Sequence, residues 1–435
     1  MHVQYYPHVA NGGRRVFEIT PHWLVVIQTT EQTGSSNKIA LVLPGGGARA
    51  AYQIGVLKAL SDLLPPRTSN PFSVLIGTSA GSINATELAI HAHRFRVAVG
   101  NLERVWRNFM VPQVFDVAPL TMLKDGIHWM LSLMSGGFLL PPPRSLFDNA
   151  PLRQLLGANF DFSRIEHSIE DGLLDALAIS GASYSSSRSV FFFQAKPEQK
   201  PWMRVRHAGE PAEITLDHLM ASVAVPFLFP AVQMGNEFYG DGSMRQSSPF
   251  SPAIHLGADR IMVIATRNGD RQRVRTPQYG PSFGQIFGYM LDALFSDGLY
   301  ADYERLTQVN NLIRKTGPQV VNDRLMKPIE LLVIMPSKDI SEIARKHVGE
   351  LPRSLRVLLR SMGALNSSGS ELMSYLIFQS SFTREVIELG YQDAMAQSGK
   401  MLNFLHGSEI DTTGLTSVMR RIDLKHNMPG SEAQA

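Results

Sequence analysis

Two glycine-rich turns constrain this chain more than any other feature, because each follows an apolar, strand-like run and precedes a helix-like run. In the second turn, residues 77–81 read Gly-Thr-Ser-Ala-Gly, between the run 72–76 and the helical pattern of 82–90. A strand that reverses into a helix this quickly leaves no room for side chains at Gly77 and Gly81, and it lifts Ser79 above the sheet edge. We expect Ser79 to be a nucleophile at a helix N-terminus, although a Gly-x-Ser-x-Gly turn alone also arises by chance.

The first turn has the same setting. Residues 44–49 read Pro-Gly-Gly-Gly-Ala-Arg and precede 50–60, where apolar residues recur every three to four positions. Three glycines at a helix start expose backbone N–H groups that can hold an anion. If this turn faces the serine, the amides of Gly45, Gly46 and Gly47 form an oxyanion hole for acyl transfer. Arg49 then either adds charge there or braces the loop.

A dinucleotide site is the competing interpretation of the first turn. Residues 45–50 also fit the pattern G-x-G-x-x-A, which binds dinucleotides after a strand and before a helix. A Rossmann unit places an acidic residue at the end of the next strand, but here that strand runs into Gly77-Thr78-Ser79. No Gly-Lys-Ser/Thr follows the glycines, so a phosphate-binding P-loop is excluded as well. Nucleotide binding is therefore the weaker interpretation.

A nucleophilic serine needs a base, and the thirteen histidines of the chain include no persuasive one. His255 lies inside the predicted short helix 252–258, and His406 before Gly407 is typical of a helix end. Asp241 lies between two glycines at the end of a predicted strand over 233–239. An aspartate in such a setting is usually only a turn residue, so its candidacy depends on the motifs around it.

Three ordered blocks resemble those of the patatin-like phospholipases: residues 44–57, residues 77–85, and residues 221–230 followed by Asp241-Gly242. The similarity covers roughly 38–265. It implies an α/β fold of three layers, with a central, mainly parallel sheet flanked by helices, plus a mostly helical C-terminal region. One departure is Ala231, where a second proline is common, and it alters a loop rather than the chemistry.

The resemblance also implies catalysis by a Ser–Asp dyad that uses no histidine, cofactor or metal. Carried over residue by residue, it assigns the nucleophile Ser79, the base Asp241, the oxyanion hole Gly45, Gly46, Gly47 and Arg49, and the elbow glycines Gly77 and Gly81.

An aspartate of ordinary pKa, about 3.9, is a poor base for an alcohol, so the dyad needs a partly desolvated site. We therefore expect Asp241 in a largely apolar pocket, in contact with Ser79. The predicted function is a serine lipid acyl hydrolase of the phospholipase A, lysophospholipase or esterase type, acting through an acyl-Ser79 intermediate. Two alternatives stay open: an acyltransferase that uses the same intermediate, and a catalytically weak lipid-binding protein.

Two further segments bear on contact with lipid. Residues 127–140 are uncharged, rich in Leu and Met, and shorter than the roughly 20 apolar residues that span a bilayer. They form either a lid or interfacial contact near the site or a buried helix, because periodicity does not separate these. Arginines recur over 267–275, which is either a contact to lipid phosphates or, as we favour, a solvated loop.

Composition narrows the remaining classes. The hydrophobic content of 44% and charged content of 18% are ordinary for a globular enzyme, and the absence of cysteine excludes disulfides, thiol catalysis and thiolate metal sites. A net charge of +3 attracts anionic surfaces mildly, and no basic cluster resembles a nucleic-acid footprint. No secretory signal is evident over 1–36, so we expect a cytoplasmic enzyme that reaches lipid peripherally at the inner membrane surface. The oligomeric state is open.

The motifs and the predicted helices and strands divide the chain into three parts. Residues 1–37 are an N-terminal extension with a predicted strand at 23–27, and residues 38–268 are the catalytic domain. Residues 269–435 are a mostly helical region that completes or covers the catalytic domain, with one further predicted strand at 330–336.

Overall fold

A computed structural model describes residues 38–136, 138, 141–268, 280–317, 319–321, 324–326, 328–365 and 369–407. The predicted strand at 23–27 and most of the arginine run over 267–275 lie outside these residues.

A ten-stranded mixed sheet is the centre of the fold. Its strands are β1 Ile39–Leu43, β2 Val74–Gly77, β3 Ala176–Ser183, β4 Ser189–Ala195, β5 Trp202–Met203, β6 His207–Pro211, β7 Val232–Met234, β8 Glu237–Asp241, β9 Arg260–Ile264 and, after a separate hairpin of β10 Gln319–Val321 and β11 Arg324–Met326, β12 Glu330–Ile334. The order across the sheet is β12-β9-β1-β2-β3-β4-β6-β5, with β8 paired to β3 and β7 paired to β8.

The register of the sheet brings two distant chain segments together. Strands β12, β9, β1, β2 and β3 run parallel, so their carboxyl ends lie along one edge. Gly77 ends β2 opposite Ile179 of β3, and two residues further along β3 Gly181 pairs with Asp241 of the antiparallel β8. Asp241 therefore lies just past the carboxyl end of β2, where the chain continues to Ser79.

Helices cover both faces of this sheet. They are α1 Ala51–Leu63, α2 Ala80–Ile90, α3 Phe95–Arg107, α4 Pro119–Met134, α5 Ala150–Asn159, α6 Ser163–Glu170, α7 Leu216–Ser222, α8 Ser251–His255, α9 Phe283–Asp292, α10 Gly298–Thr316, α11 Ile340–Lys346, α12 Arg353–Ser361, α13 Ser370–Leu376, α14 Ser380–Met395 and α15 Ser398–His406. Between α9 and α10 a π-helical turn spans Ala293–Asp297.

Side chains alternate across the sheet, and both faces are buried. Leu41 and Leu43 of β1 point into a core shared with α1, α2 and α3, whereas Ala40 and Val42 point into a second core shared with α8 and α10. The molecule thus has three layers, which confirms the predicted α/β class with a central, mainly parallel sheet flanked by helices.

The region after residue 268 is mostly helical, as predicted, and contributes β12 to the edge of the main sheet next to β9. Its helix α14 packs closely on α1, because Gly55 and Gly390 let the two backbones approach: a Cβ on Gly55 would lie 2.9 Å from Gly390 Cα. The division of the chain at residues 37 and 268 stays a prediction.

Two sequence expectations need correction or completion. The predicted strand over 233–239 is two strands, β7 and β8, which pair around a turn at Gly235, whose φ is +59°. The segment 127–140 starts within α4, most of whose described apolar side chains are exposed, as detailed below. Among the described helices none has the length and apolar character needed to cross a bilayer.

Candidate active site

Ser79 occupies a sharp turn between β2 and α2. Its φ is +51° and its ψ is −129°, a conformation that L-residues rarely adopt and that marks a strained backbone. A Cβ on Gly77 would lie 2.8 Å from Gly81 O, and one on Gly81 would lie 2.7 Å from Leu43 C. Since both contacts involve backbone atoms, the turn requires glycine at both positions.

Hydrogen bonds fix the backbone of Ser79 on both sides. Its N–H donates to Ser222 Oγ at 2.9 Å, and its carbonyl accepts from Ser82 Oγ at 2.6 Å. Ser222 ends α7 and is fully buried. No motif singles out this residue, although it falls inside the third block, 221–230.

Asp241 is buried, with 1% of its surface exposed. Its N–H donates to Ala224 O at 2.9 Å, and its Oδ1 accepts the Ser243 N–H at 2.8 Å. Its Oδ2 is buried and has no hydrogen-bond partner among the described residues. One carboxylate oxygen is therefore held in place while the other keeps its acceptor capacity.

Burial raises the pKa of Asp241 to about 6, against the Ser79 hydroxyl and the Ser243 amide and hydroxyl, which lower it. The Ser79 hydroxyl thus lies near enough to lower the pKa of the Asp241 carboxyl, but it does not meet the geometry of a hydrogen bond to Oδ2. Contacts of this kind are often loose in an unliganded site and tighten when substrate binds.

The glycine loop lies beside this pair. Gly47 and Ser79 line the same cavity, and Gly47 has a φ of +51°. A Cβ on Gly45 would lie 2.5 Å from the Phe295 ring, and one on Gly46 would lie 2.6 Å from Thr266 Oγ1. Within the described part of the chain, the three glycine amides donate no hydrogen bond to other groups. They are therefore available to an anion.

Arg49 does not contribute a free charge to this loop, which corrects its assignment to the oxyanion hole. Its guanidinium is 2% exposed and donates to four groups of the C-terminal region: Ser374 Oγ at 2.7 Å, Glu371 Oε2 at 2.5 Å, Tyr375 OH at 3.3 Å and Asp292 Oδ1 at 3.4 Å. It also lies 4.1 Å from the centre of the Tyr375 ring. Of the two roles considered for Arg49, the structure favours bracing of the loop.

A second buried network supports the same loop from the other side. Trp106 Nε1 donates to Asn84 Oδ1 at 2.9 Å, Asn84 Nδ2 donates to Gln53 Oε1 at 2.8 Å, and Gln53 Nε2 donates to Pro44 O at 2.9 Å. This chain of bonds links α3, α2 and α1 to the start of the glycine loop. Sequence reasoning missed all three residues, because isolated polar residues in apolar helices carry no motif.

A cavity of about 340 Å³ extends from Ser79. Its walls are mostly apolar, including Ile83, Leu102, Phe109, Leu156, Leu228 and Phe295. Polar residues also line it, among them Glu87, His91, Asn101, Arg104 and Asn159. A mainly apolar cavity that ends at a serine suits the acyl chain of an ester.

The histidines considered as bases lie elsewhere. His255 stacks on Trp202 at 4.8 Å between ring centres, and His406 ends α15 before Gly407 in the left-handed conformation, as expected of a helix end. His91 is the one described histidine in the cavity lining, and it lies three helical turns from Ser79. Among the described residues no group of three or more His, Asp or Glu is placed to hold a metal ion.

Comparison with known proteins identifies the family that the chain resembles. Residues 41–254 match the family model of the patatin-like phospholipases. The chain is 25% identical over 223 residues to a Pseudomonas aeruginosa protein named cGAMP-activated phospholipase, an alignment that covers 51% of this chain and 57% of the relative. The chain therefore spans little more than half the length of that relative.

Solved structures show weaker similarity. VipD from Legionella pneumophila aligns with a TM-score of 0.36 and 11% identity, covering 86% of this chain and 67% of VipD. Human GIVD cytosolic phospholipase A2 aligns with a TM-score of 0.40 and 12% identity, covering 86% and 60%. Similarity at this level carries no conclusion about activity.

Proposed function

Because residues 41–254 form a patatin-like phospholipase domain, we propose that this chain is a serine hydrolase that cleaves carboxylic esters of lipids through an acyl-Ser79 intermediate. The observation that carries the proposal is the juxtaposition of Asp241, buried with one unpartnered oxygen, and the strained Ser79 at the end of an apolar cavity.

The reaction would proceed in two stages. Asp241 accepts the proton of Ser79 Oγ while Oγ bonds to the ester carbonyl carbon, and the amides of Gly45, Gly46 and Gly47 stabilise the resulting oxyanion. The proton then passes to the departing alcohol as its bond to carbon breaks. In the second stage Asp241 accepts a proton from water as the water oxygen bonds to the acyl carbon. The bond from that carbon to Ser79 Oγ then breaks, Oγ takes the proton back from Asp241, and the fatty acid leaves.

The dyad suits its proposed role without a histidine. An aspartate whose pKa burial raises to about 6 is a stronger base than an exposed aspartate and is still mostly ionised at neutral pH. Each well-placed amide in the oxyanion hole would lower the barrier by about 2.7–4 kcal/mol.

The proposal also includes peripheral contact with a membrane surface. The outer face of α4 exposes Leu120, Leu123, Ile127, Met130, Leu131 and Met134, which follow helical spacing. Beyond α4, the loop residue Phe227 is 67% exposed, and its ring contacts Phe287 of α9, a second helix with exposed apolar residues. An exposed apolar face of this kind fits the boundary of a lipid bilayer. A cytoplasmic location stays a prediction.

Single substitutions in the dyad test the hydrolase assignment. Ser79→Ala and Asp241→Asn should each lower kcat/KM by roughly 10³-fold or more on p-nitrophenyl esters and defined phospholipids. Ser79→Ala should also abolish labelling by a fluorophosphonate, while the matched control Ser361→Ala, on the exposed surface of α12, keeps both properties. Far-UV circular dichroism checks that each variant is folded.

Three outcomes would contradict this assignment. They are labelling that persists in Ser79→Ala, a histidine variant as inactive as Ser79→Ala, and an added alcohol acceptor that outcompetes water, which would identify an acyltransferase. A folded protein without activity on any ester would favour a lipid-binding role.

A further inference from the structure

The cavity follows one face of α2. Ser79, Ile83, Glu87 and His91 are spaced four residues apart and all line it. At about 1.5 Å per residue, Glu87 and His91 lie roughly 12 and 18 Å along the helix axis from Ser79. An acyl chain that extends from Ser79 along this face would therefore bring its far part to Glu87 and His91.

Glu87 is a buried carboxyl that lies next to two other polar side chains, Asn101 and His91. It is 4% exposed, and its Oε1 accepts from Asn101 Nδ2 at 2.9 Å. His91 Nδ1 lies 2.9 Å from the same oxygen but outside hydrogen-bond geometry, and it is buried without another partner among the described residues. The cluster thus keeps hydrogen-bonding capacity that the protein does not satisfy.

Burial disfavours charge on both titratable side chains of this cluster. Burial raises the pKa of Glu87 to about 7, against the Asn101 hydrogen bond and the charge of Arg164, which lower it. Burial also lowers the pKa of His91, as do the charges of Arg164 and His93. Glu87 and His91 together can therefore both donate and accept a hydrogen bond near neutral pH.

Hydrocarbon is a poor neighbour for such a cluster. A buried polar group that loses its access to water without gaining a partner is destabilising, so a purely aliphatic chain end at Glu87 would bind less well than its length suggests. Arg104 and Asn159 line the same cavity and are exposed, so the cavity has access to water for a polar chain end.

We propose that this pocket selects acyl chains that carry a hydroxyl group near their far end, and that Glu87, His91 and Asn101 bind this hydroxyl. The inference rests on the proposed function, whose acyl chain it specifies. A hydroxyl fits better than a carboxylate, because the burial that disfavours charge on Glu87 also disfavours a charged chain end beside it.

A substrate pair tests the selection. The p-nitrophenyl esters of decanoic, dodecanoic and tetradecanoic acid are compared with their ω-hydroxy counterparts by kcat/KM. The wild type should favour the hydroxylated ester roughly tenfold at the chain length that reaches Glu87. Glu87→Leu should favour the plain ester, Glu87→Gln should keep part of the hydroxyl preference, and Glu388→Leu, on the exposed side of α14, should keep all of it.

A binding experiment separates this inference from the hydrolase proposal. In the Ser79→Ala background, free ω-hydroxy and plain fatty acids displace a fluorescent fatty acid, so no turnover is needed. Tighter binding of the hydroxy acid that Glu87→Leu abolishes would support the pocket even if no hydrolysis were found. A preference for plain chains at every length, or a hydroxyl preference that Glu87→Leu leaves intact, would overturn it.

Discussion

Asp241 combines two opposing demands in one side chain. The proposed reaction needs it ionised, whereas its burial favours the neutral acid and raises its pKa to about 6, from an ordinary 3.8. At low pH the carboxyl is neutral in both the folded and the unfolded protein, and its burial costs little. As the pH rises through the folded-state pKa, the free energy of unfolding falls. The residue that the proposed reaction needs most therefore destabilises the fold at neutral pH.

Two pH dependences follow from Asp241. We expect kcat/KM on a soluble ester to rise with pH and level off above about pH 6, because the base must be ionised. We also expect Asp241→Asn to unfold less readily than the wild type at about pH 8, by up to about 3 kcal/mol, with the difference shrinking as the pH falls below about 6. Urea unfolding at pH 8 and at a pH below 6 measures this difference in the free energy of unfolding. A less stable Asp241→Asn protein at the higher pH would contradict this account.

A short motif shows in the sequence alone which residues are under a steric demand. Gly77 and Gly81 were foreseeable because the backbone of the turn leaves no space for a Cβ, whatever the rest of the fold does. The partners of Arg49 could not be foreseen, because Asp292 and Glu371 are more than two hundred positions away in the chain. No local pattern reports which distant carboxylates a buried arginine meets.

At the scale of an element, α4 shows why periodicity leaves a helix ambiguous. A repeat of apolar residues gives one apolar face, but it does not say whether protein, lipid or water covers that face. The structure turns Leu123 and Met130 outward, with exposed fractions of 60% and 53%, and buries Ser132. The hairpin of β7 and β8 was similarly hidden, since one residue at positive φ, Gly235, divides a continuous-looking strand.

Charges on the outer face of α4 test its contact with membranes. Leu123→Glu and Met130→Glu together should weaken binding to phospholipid vesicles in a flotation assay by about tenfold or more, because each places a charge in the apolar boundary. Activity on vesicles should fall much further than activity on a soluble ester. Val357→Glu, at an equally exposed apolar position on α12, provides the control. Equal losses on both substrates would instead assign α4 a structural role.

At the scale of the whole molecule, the C-terminal region is part of the framework that holds the proposed site. It supplies β12 to the sheet, packs α14 against α1 through Gly55 and Gly390, and provides the four described side-chain partners of the Arg49 guanidinium. The sequence motifs end before this region begins, and so the resemblance marked where the proposed chemistry lies but not what holds it. The periodicity of its apolar residues predicted that the C-terminal region is mostly helical. Its role in holding the site follows only from the tertiary contacts.

Removing the C-terminal region should therefore unfold the rest. A protein of residues 38–268 would lose the four groups that hold the Arg49 guanidinium and the edge strand β12. It would also expose the apolar face of α1. We expect little soluble protein and no cooperative thermal unfolding by circular dichroism. A truncated protein that unfolds cooperatively and reacts with a fluorophosphonate would establish 38–268 as an independent domain.

The backbone conformation of Ser79 has a practical consequence for trapping a bound ester. Glycine adopts a φ of +51° without strain and many other conformations as well. A glycine replacement would therefore let this turn change conformation, and the adjoining residues of the cavity would shift with it. Alanine keeps the same restriction on the main chain while removing the reactive oxygen. An intact lipid captured in the alanine protein would thus sit as it does before its bond is cut.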